Sequence, residues 1–469
     1  MTIVKEEDGT MSVPDDDHTI FRNKLSPSAR AILNALCKLE KGESIELFQQ
    51  GPESEIKKLK KWVKTYKGGF CTAVRKRIRL VISRGGIVVI TQDDIMRLIR
   101  EMWRANISRL SSTELQVLEF ILQNPELGTI ELVEKTNLTY ARIRRAKENL
   151  QTTGVLQRKG RLNAAPLGLD RILIQLNNPT YVPVSPYFEK TLYIDHPRIV
   201  FVVCLTPSGR RKALEQTIKS LRTVSDSVTI WRLSSGQPHF GKAYYNISTK
   251  QFRFDPFHFR LSLANDEDLL LGDAPPSTVM FPLKLSKADA KVIDELVRNY
   301  DSKALEIVQR TSISESTAFR RRARIIKERI VIPRHRVDIP ALSDRVLASV
   351  SPDSAGRIMQ SWIRHLPVTY VSRIENTETN GRDRRVLLAS ALPKGASQDV
   401  IDVLRTEQSR VDDYDIFRVA ASTVNVLKVN RMYDTQKRSW KFDSSFIELG
   451  SYGICRRDAK STNIPLDLV

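Results

Sequence analysis

The sequence predicts an α+β protein in which three-helix units alternate with small βαβ-type units. Three observations lead to this fold class. Apolar residues recur at helical spacing in residues 110–155, an apolar run typical of a buried strand lies at 200–205, and both patterns return later in the 469-residue chain. A hydrophobic fraction of 41% excludes a disordered chain. No apolar run approaches the roughly 20 residues that a membrane-spanning helix needs.

An internal repeat aligns residues 110–155 with residues 285–330 without a gap. Each copy contains two amphipathic helical segments and then a three-residue turn, at 136–138 or 311–313. A Thr or Ser follows the turn, where its hydroxyl can cap a third helix. This pattern is a helix-turn-helix.

The third helix of each copy combines an apolar stripe with outward-pointing arginines. The predicted stripes are Ile143, Ala146 and Leu150 in the first copy and Phe319, Ala323 and Ile326 in the second. An arginine-bearing helix of this size fits the major groove of B-DNA. A short β-ribbon is predicted beyond each third helix, with a basic tip that would lie along the phosphates, at Arg158-Lys159-Gly160-Arg161 and at Pro333-Arg334-His335-Arg336.

A more divergent third copy is predicted upstream. Residues 72–81 match residues 317–326 without a gap, and Val74, Ile78 and Val81 form the corresponding stripe. A lysine-rich insertion precedes this segment, so a simple basic helix is an alternative interpretation.

The net charge of +21 is concentrated in three windows, each of which contains a predicted third helix. Residues 56–84 hold eleven Lys and Arg and no acid, residues 142–161 hold seven and one acid, and residues 316–336 hold eight and one acid. Clustered cations favour a polyanionic partner, because each neutralised phosphate releases a condensed counterion. Basic faces that serve only solubility are the alternative.

The segments that follow the two clear copies also correspond to each other. A strand, a helix and a strand are predicted at 200–205, 213–221 and 228–233, and again at 386–388, 400–404 and 414–419. The whole stretch is therefore an internal duplication.

The predicted domains are an acidic disordered tail (1–22), a divergent N-terminal helix-turn-helix or basic helical domain (23–105), a winged helix-turn-helix (108–178), a βαβ-type domain (188–264), a linker (265–282), a second winged helix-turn-helix (283–350) and a second βαβ-type domain (356–458).

The two duplicated stretches resemble the leucine-responsive regulatory protein (Lrp/AsnC) family, over residues 110–156 and 285–332 and including Asp289 in the first helix of the second copy. The resemblance implies winged helix-turn-helix domains joined to small ferredoxin-like sensor domains that dimerise. It thus implies a homodimer through the βαβ-type domains and leaves the small-molecule effector unknown. A tandem copy implies that one chain does what a dimer does elsewhere.

The predicted function is a sequence-specific, double-stranded DNA-binding transcriptional regulator that places arginine-rich recognition helices in the major groove. A replication initiator or DNA-architectural protein with tandem winged helices is the alternative, and an RNA-binding protein is a third interpretation. The predicted DNA-contacting residues are Arg75, Lys76, Arg79, Arg142, Arg144, Arg145, Arg158, Lys159, Arg161, Arg320, Arg321, Arg324, Lys327, Arg334 and Arg336.

No enzyme, catalytic residue, metal site or cofactor is predicted. The six histidines are dispersed, no nucleotide-binding or hydrolase motif occurs, and the four cysteines form no C-x-x-C pair, which argues against a disulfide framework. Haem-pathway decarboxylases have a similar architecture, but their activity would need a histidine-lined pocket. The acidic N-terminus is unlike a secretory signal, so the expected location is cytoplasmic and nucleoid-associated.

Overall fold

The computed structural model describes residues 24–43, 53–84, 89–208, 211–234, 236–265, 283–379, 383–407, 413–443 and 447–459. The chain divides into two compact units, Met1–Arg109 and Leu110–Val469. Helices and antiparallel strands share the second unit, so the α+β class is confirmed. The predicted acidic tail and, apart from Asn265, the predicted linker lie outside the described residues. No helix in the described part of the chain is long and apolar enough to cross a membrane.

The first unit is helical over its described residues. Its helices are α1 (Pro27–Glu40), α2 (Glu53–Thr65), α3 (Phe70–Arg84) and α4 (Gln92–Ile107). Leu36, Trp62 and Ile99 pack in its core. Val74 and Ile78 of the predicted α3 stripe are fully buried, whereas Val81 is exposed. Two of the three predicted stripe residues therefore face the core.

A disulfide joins Cys37 of α1 to Cys71 of α3, whose Cα atoms lie 5.2 Å apart. The prediction against disulfides is therefore wrong for this pair. The two cysteines are 34 residues apart in sequence and belong to no local motif. Only the packing of α1 against α3 brings them together.

The second unit begins with a helical triad and continues into strands. Its first half contains α5 (Ser112–Gln123), α6 (Thr129–Thr136), α7 (Tyr140–Thr153), β1 (Leu156–Leu162), β2 (Leu169–Asn177), β3 (Tyr181–Val184), β4 (Phe188–Ile194), β5 (Ile199–Pro207), α8 (Arg211–Arg222), β6 (Ser227–Leu233), β7 (Gln237–Phe240), β8 (Tyr245–Asn246), β9 (Gln251–Phe252) and α9 (Pro256–Asn265). Ser111 and Glu114 form a capping box at the start of α5, which fixes where the triad begins.

The second half repeats this order. It contains α10 (Lys287–Arg298), α11 (Ala304–Thr311), α12 (Glu315–Lys327), β10 (Val331–Val337), β11 (Asp344–Val350), α13 (Pro352–His365), β12 (Val368–Asn376), β13 (Arg384–Leu392), α14 (Ala396–Thr406), β14 (Tyr414–Arg418), β15 (Ala421–Val424), α15 (Val429–Met432), β16 (Tyr433–Asp434), β17 (Ser439–Trp440), β18 (Glu448–Ser451) and α16 (Tyr452–Asp458). The elements α10, α11, α12, β10 and β11 each start 175 residues after their first-half counterparts. The duplicated helical triads are thus present as predicted, while α13 replaces β3.

The strands of both halves join into one sheet in the order β14-β11-β13-β12-β6-β2-β5-β4-β15, with β7 paired to β12. Within each half, the four main strands lie in the order fourth-first-third-second along the chain. Each half also extends a strand onto the other: β7 pairs with β12 through Phe240 and Val368, and β15 pairs with β4 through Ala421 and Tyr193. The two halves are therefore one interlocked body.

The strand after each third helix pairs with its counterpart from the other half. β1 and β10 run antiparallel from Leu156↔Val337 to Leu162↔Val331 and form a two-stranded ribbon. The prediction of a separate β-ribbon with a basic tip beyond each helix is wrong, because the predicted tip residues lie in the middle of these strands. A Cβ at Gly160 would overlap the Leu296 carbonyl oxygen and Val331 Cγ1, so α10 packs directly on the ribbon.

The apolar stripe of α12 differs from the prediction, whereas that of α7 is confirmed. Ile143, Ala146 and Leu150 of α7 are buried. In α12 the buried residues are Ala318 and Ile325, and Phe319 is 70% exposed. The alignment of the two copies holds, but α12 turns a different face to the core. Its buried residues each precede a predicted stripe residue by one position, Ala318 before Phe319 and Ile325 before Ile326.

Candidate anion-binding site

The predicted DNA-contacting residues lie on α3 of the first unit and on α7, α12 and the β1–β10 ribbon of the second. Those on α3 and α7 are half-buried (Arg75) or exposed (Lys76, Arg79, Arg142, Arg144 and Arg145). Arg144 is paired with Glu148 at 2.9 Å. On α12, Arg320 and Lys327 are exposed, while Arg321 and Arg324 are half-buried.

Arg321 and Arg324 face a buried carboxylate of α10. Their Nη1 atoms lie 3.5 Å from Asp289 Oδ1 and 3.6 Å from Asp289 Oδ2. Asp289 also accepts hydrogen bonds from the backbone N–H and hydroxyl of Ser286 at the start of α10. Because Asp289 is 1% exposed, these two arginines hold α12 against α10.

The β1–β10 ribbon divides its charged residues between two faces. Cross-strand partners share a face of a ribbon, and successive residues alternate between faces. Arg158 is paired with His335, and on the other face Lys159 is paired with Arg334. Arg161 and Arg336 share that second face, so Arg161, Arg334, Lys159 and Arg336 form a basic row.

The Arg158–His335 face is occupied by protein groups. Arg158 donates to Asp301 Oδ1 at 2.8 Å and to the Pro125 carbonyl at 3.2 Å. His335 is 3% exposed, and burial together with the Arg158 and Lys147 cations lowers its pKa to about 3. This histidine is therefore neutral and inaccessible to a phosphate, contrary to the wing interpretation.

The basic row meets the sheet at Arg171 of β2. Arg171 is buried, and its Nη2 lies 3.1 Å from Oε2 and 3.3 Å from Oε1 of Glu189 on β4. Its Nε is buried and has no hydrogen-bond acceptor among the described residues. Arg334 lies over the ring of Tyr370, with its Cζ 5.8 Å from the ring centroid. We call Arg161, Arg171 and Arg334 the arginine cluster.

The arginine cluster is electrostatically strained. Burial, and then the neighbouring Arg171 and Arg334 cations, lower the pKa of Arg161 to about 9, and Glu189 is the carboxylate that opposes this shift. Further along the basic row, burial and then Arg336 and Arg298 lower the pKa of Lys159. Cations that destabilise one another in a poorly solvated place favour a bound anion.

The chemistry of this arrangement suits carboxylates and phosphates. A guanidinium presents a planar fork of donors that matches both groups, and partial burial strengthens each charge-assisted hydrogen bond. A separate cavity of about 240 Å³ lies at the β1 side of the ribbon; it is lined in part by Lys159, Arg298 and Asp301, and by no residue of the arginine cluster. Among the residues that the structure describes, no three His, Cys, Asp or Glu side chains are arranged to hold a metal ion.

Sequence reasoning missed Arg171 and Glu189. A signal for Arg171 does exist: Asp170-Arg171-Ile172-Leu173 recurs as Asp344-Arg345-Val346-Leu347. An arginine inside an apolar strand in both copies is unusual, since arginine is rarely buried without a partner. Arg345 is buried as well. Glu189 gives no comparable signal, because its role depends on the packing of β4 near β2.

Comparisons with known proteins give few matches. No protein-family model and no curated protein matches the chain. Among solved structures, it is similar to the siroheme decarboxylase NirDL in complex with an iron-uroporphyrin III analogue, at 12% identity and a TM-score of 0.38, over 68% of this chain and 95% of that one. A second structure of siroheme decarboxylase NirDL matches at 10% identity and a TM-score of 0.38, over 69% of this chain and 98% of that one.

These findings correct the predicted function. Both structural neighbours are enzymes, so they contradict a DNA-binding transcriptional regulator and the prediction that the chain is not an enzyme. The fold adds a physical reason against the predicted DNA contacts. The two predicted wings pair with each other, and Arg158, Arg321 and Arg324 contact carboxylates of the same chain. Duplex DNA as a partner and homodimerisation stay predictions.

Proposed function

We propose that this chain binds a small molecule carrying carboxylate or phosphate groups, as substrate or ligand, at the arginine cluster. The observation that carries this proposal is the proximity of Arg161, Arg171 and Arg334 with Glu189 as the opposing carboxylate. Burial and then repulsion from Arg171 and Arg334 lower the pKa of Arg161, and a bound anion would offset both. It would also give the buried Nε of Arg171 an acceptor.

The exposure of the three arginines supports this proposal. Arg161 and Arg334 are half-buried, so a ligand can reach them, whereas Arg171 is buried behind them. An anionic group that pairs with the buried Arg171 would be partly desolvated, which makes that ion pair stronger than one at an open surface.

We also infer the finer architecture. The two helical triads with their following strands are winged helix-turn-helix units of Lrp/AsnC type, and the four-stranded groups in fourth-first-third-second order are ferredoxin-like. The strand exchange between the halves and the β1–β10 ribbon fit a dimer of such units fused into one chain. The arginine cluster combines Arg161 and Arg334 of the ribbon with Arg171 of the sheet, so it draws on both halves of the second unit.

A ligand panel measured by thermal unfolding tests the proposed function. The probes are inorganic phosphate, citrate and an iron-uroporphyrin III, the last because a uroporphyrin carries many carboxylates and its analogue is named for the structural neighbour. We expect at least one polycarboxylate to raise the melting temperature at constant ionic strength, because a ligand that binds only the native state stabilises it.

Two variants test whether the increase in melting temperature depends on the arginine cluster. Arg161→Gln removes a half-buried member of the cluster and should abolish most of the shift, while Arg232→Gln changes an exposed arginine and should keep it. The proposal fails if no probe stabilises the wild type beyond sodium chloride at equal ionic strength. It also fails if both variants respond like the wild type.

A further inference from the structure

A cluster of two histidines and a tyrosine lies between α9 and the end of α13. The backbone at Gly241 is held against that end, since its N–H donates to the Pro367 carbonyl at 3.0 Å. A Cβ at Gly241 would lie 2.5 Å from the Leu366 carbonyl oxygen, so only glycine allows this approach. The contact brings Tyr244, three residues later, next to His365.

His258 reaches the same place from the first turn of α9. Its backbone N–H donates to Asp255 Oδ1 at 3.1 Å, and the next residue, Phe259, is fully buried against Trp362 of α13 with ring centroids 6.3 Å apart. The helix is thereby fixed on α13. As a result, the ring centroids of His258 and His365 lie 5.1 Å apart, and those of Tyr244 lie 5.9 and 6.0 Å from them.

The separation of the two imidazoles fits a shared metal ion. A zinc–nitrogen bond is about 2.0–2.1 Å long, which places an imidazole centroid about 3.2 Å from the ion and two tetrahedrally arranged centroids about 5.2 Å apart. The observed 5.1 Å agrees with this value. His258 is exposed and His365 half-buried, so an ion can enter from solvent.

Tyr244 supplies a second, independent observation. Its side chain is 6% exposed, and its hydroxyl is buried without a hydrogen-bond partner among the described residues. A buried hydroxyl in this state is costly unless something satisfies it. Water bound to an ion between the two imidazoles would do so.

We propose that His258 and His365 bind one divalent transition-metal ion, with the Tyr244 hydroxyl hydrogen-bonded to a metal-bound water. Imidazole ligands suit Zn²⁺, Ni²⁺ and Cu²⁺, and affinity for such sites rises toward Cu²⁺. Two protein ligands leave the remaining positions to water. The site is thus of the open type, unlike a closed structural zinc site.

Metal titration of the full chain, followed by calorimetry and by the Cu²⁺ electron paramagnetic resonance spectrum, tests this proposal. The wild type should bind one equivalent of Cu²⁺ or Ni²⁺ with a spectrum that shows two nitrogen ligands. His258→Ala and His365→Ala should each weaken binding at least tenfold, and Tyr244→Phe should weaken it two- to fivefold. His196→Ala, at an exposed histidine elsewhere, should leave it unchanged.

Two results would overturn the metal site. One is the absence of binding to the wild type. The other is equal affinity in the wild type and in His258→Ala, an exposed position where folding is easily verified by circular dichroism. Either outcome would show that the rings form an aromatic contact only.

Discussion

Arg171 Nη2 lies 3.1 Å from Glu189 Oε2, and this ion pair is largely withdrawn from solvent: the arginine side chain is 6% exposed and the glutamate side chain 23%. It joins β2 to β4 across the intervening β5. Glu189 also opposes the excess positive charge that Arg161 and Arg334 add beside it. The pair therefore fixes the position of Arg171 and supplies the negative charge of the arginine cluster.

Removal of the Glu189 charge should destabilise the free protein and increase its response to anions. Glu189→Gln leaves Arg171 without its carboxylate, which we expect to lower the free energy of unfolding by about 3 kcal/mol, the low end for a buried ion pair because the Glu189 side chain is 23% exposed. Citrate should then restore more stability to the variant than to the wild type. Urea unfolding with and without citrate measures both effects, and equal stability of the two proteins would argue against a role for this pair.

The close contact between α10 and the β1–β10 ribbon predicts that a side chain at Gly160 destabilises the fold. Gly160→Ala places a methyl group against the Leu296 carbonyl and Val331, so we expect a loss of about 1–3 kcal/mol, typical of overpacking. Gly453→Ala is the matched control, because a Cβ there meets nothing within 4 Å. Chemical unfolding of the two variants provides the comparison. A Gly160→Ala protein as stable as the control would mean that α10 does not pack on the ribbon.

The disulfide in the first unit should set its stability. Replacement of both Cys37 and Cys71 by serine frees a loop of 34 residues, for which chain entropy predicts a loss of about 3–4 kcal/mol. A reducing agent should have the same effect on the wild type. Cys455→Ser, at a free thiol, is the control: it should unfold like the wild type and lose the same stability on reduction, whereas the double serine variant should not respond to the reductant. Calorimetry with and without reductant distinguishes the three proteins. A wild-type unfolding profile that reduction leaves unchanged would contradict the Cys37–Cys71 disulfide.

The buried His335 predicts a pH dependence of stability. Its pKa is lowered to about 3 in the folded state from an ordinary value of about 6.5, so the unfolded chain binds a proton that the folded chain does not. The contribution of His335 is full above pH about 6.5 and decreases as pH falls toward 3, by about 1.4 kcal/mol per pH unit. His335→Leu should flatten this part of the profile, and His196→Leu should not. A wild-type slope identical to that of His335→Leu would be the contrary result.

Local features of the fold could be predicted because their causes are local. The apolar spacing of α7 and the hydroxyl at Thr139 that caps it lie within one segment, and both are as predicted. The repeat at an offset of 175 likewise needs only a comparison of residue types. For α12 the same alignment gave the wrong buried face, because Asp289 draws Arg321 and Arg324 inward and leaves Phe319 exposed.

The candidate site could not be predicted as a unit, because its members come from distant segments. Arg161 and Arg334 were identified as basic residues, but their shared face depends on the register Lys159↔Arg334 between strands of different halves. A local pattern cannot distinguish a strand that folds back on its neighbour from one that pairs with its own duplicate. Glu189 belongs to the site only through the packing of β4 near β2.

The most direct test of the arginine cluster is a calorimetric titration of the best-binding anion into the wild type, Arg161→Gln and Arg232→Gln at matched ionic strength. A charge-assisted hydrogen bond contributes about 1.5–3 kcal/mol, so Arg161→Gln should bind at least about tenfold more weakly than the wild type, and Arg232→Gln should bind equally well. Equal affinity of all three proteins, or a wild type that binds none of the anions, would contradict an anion site at this cluster.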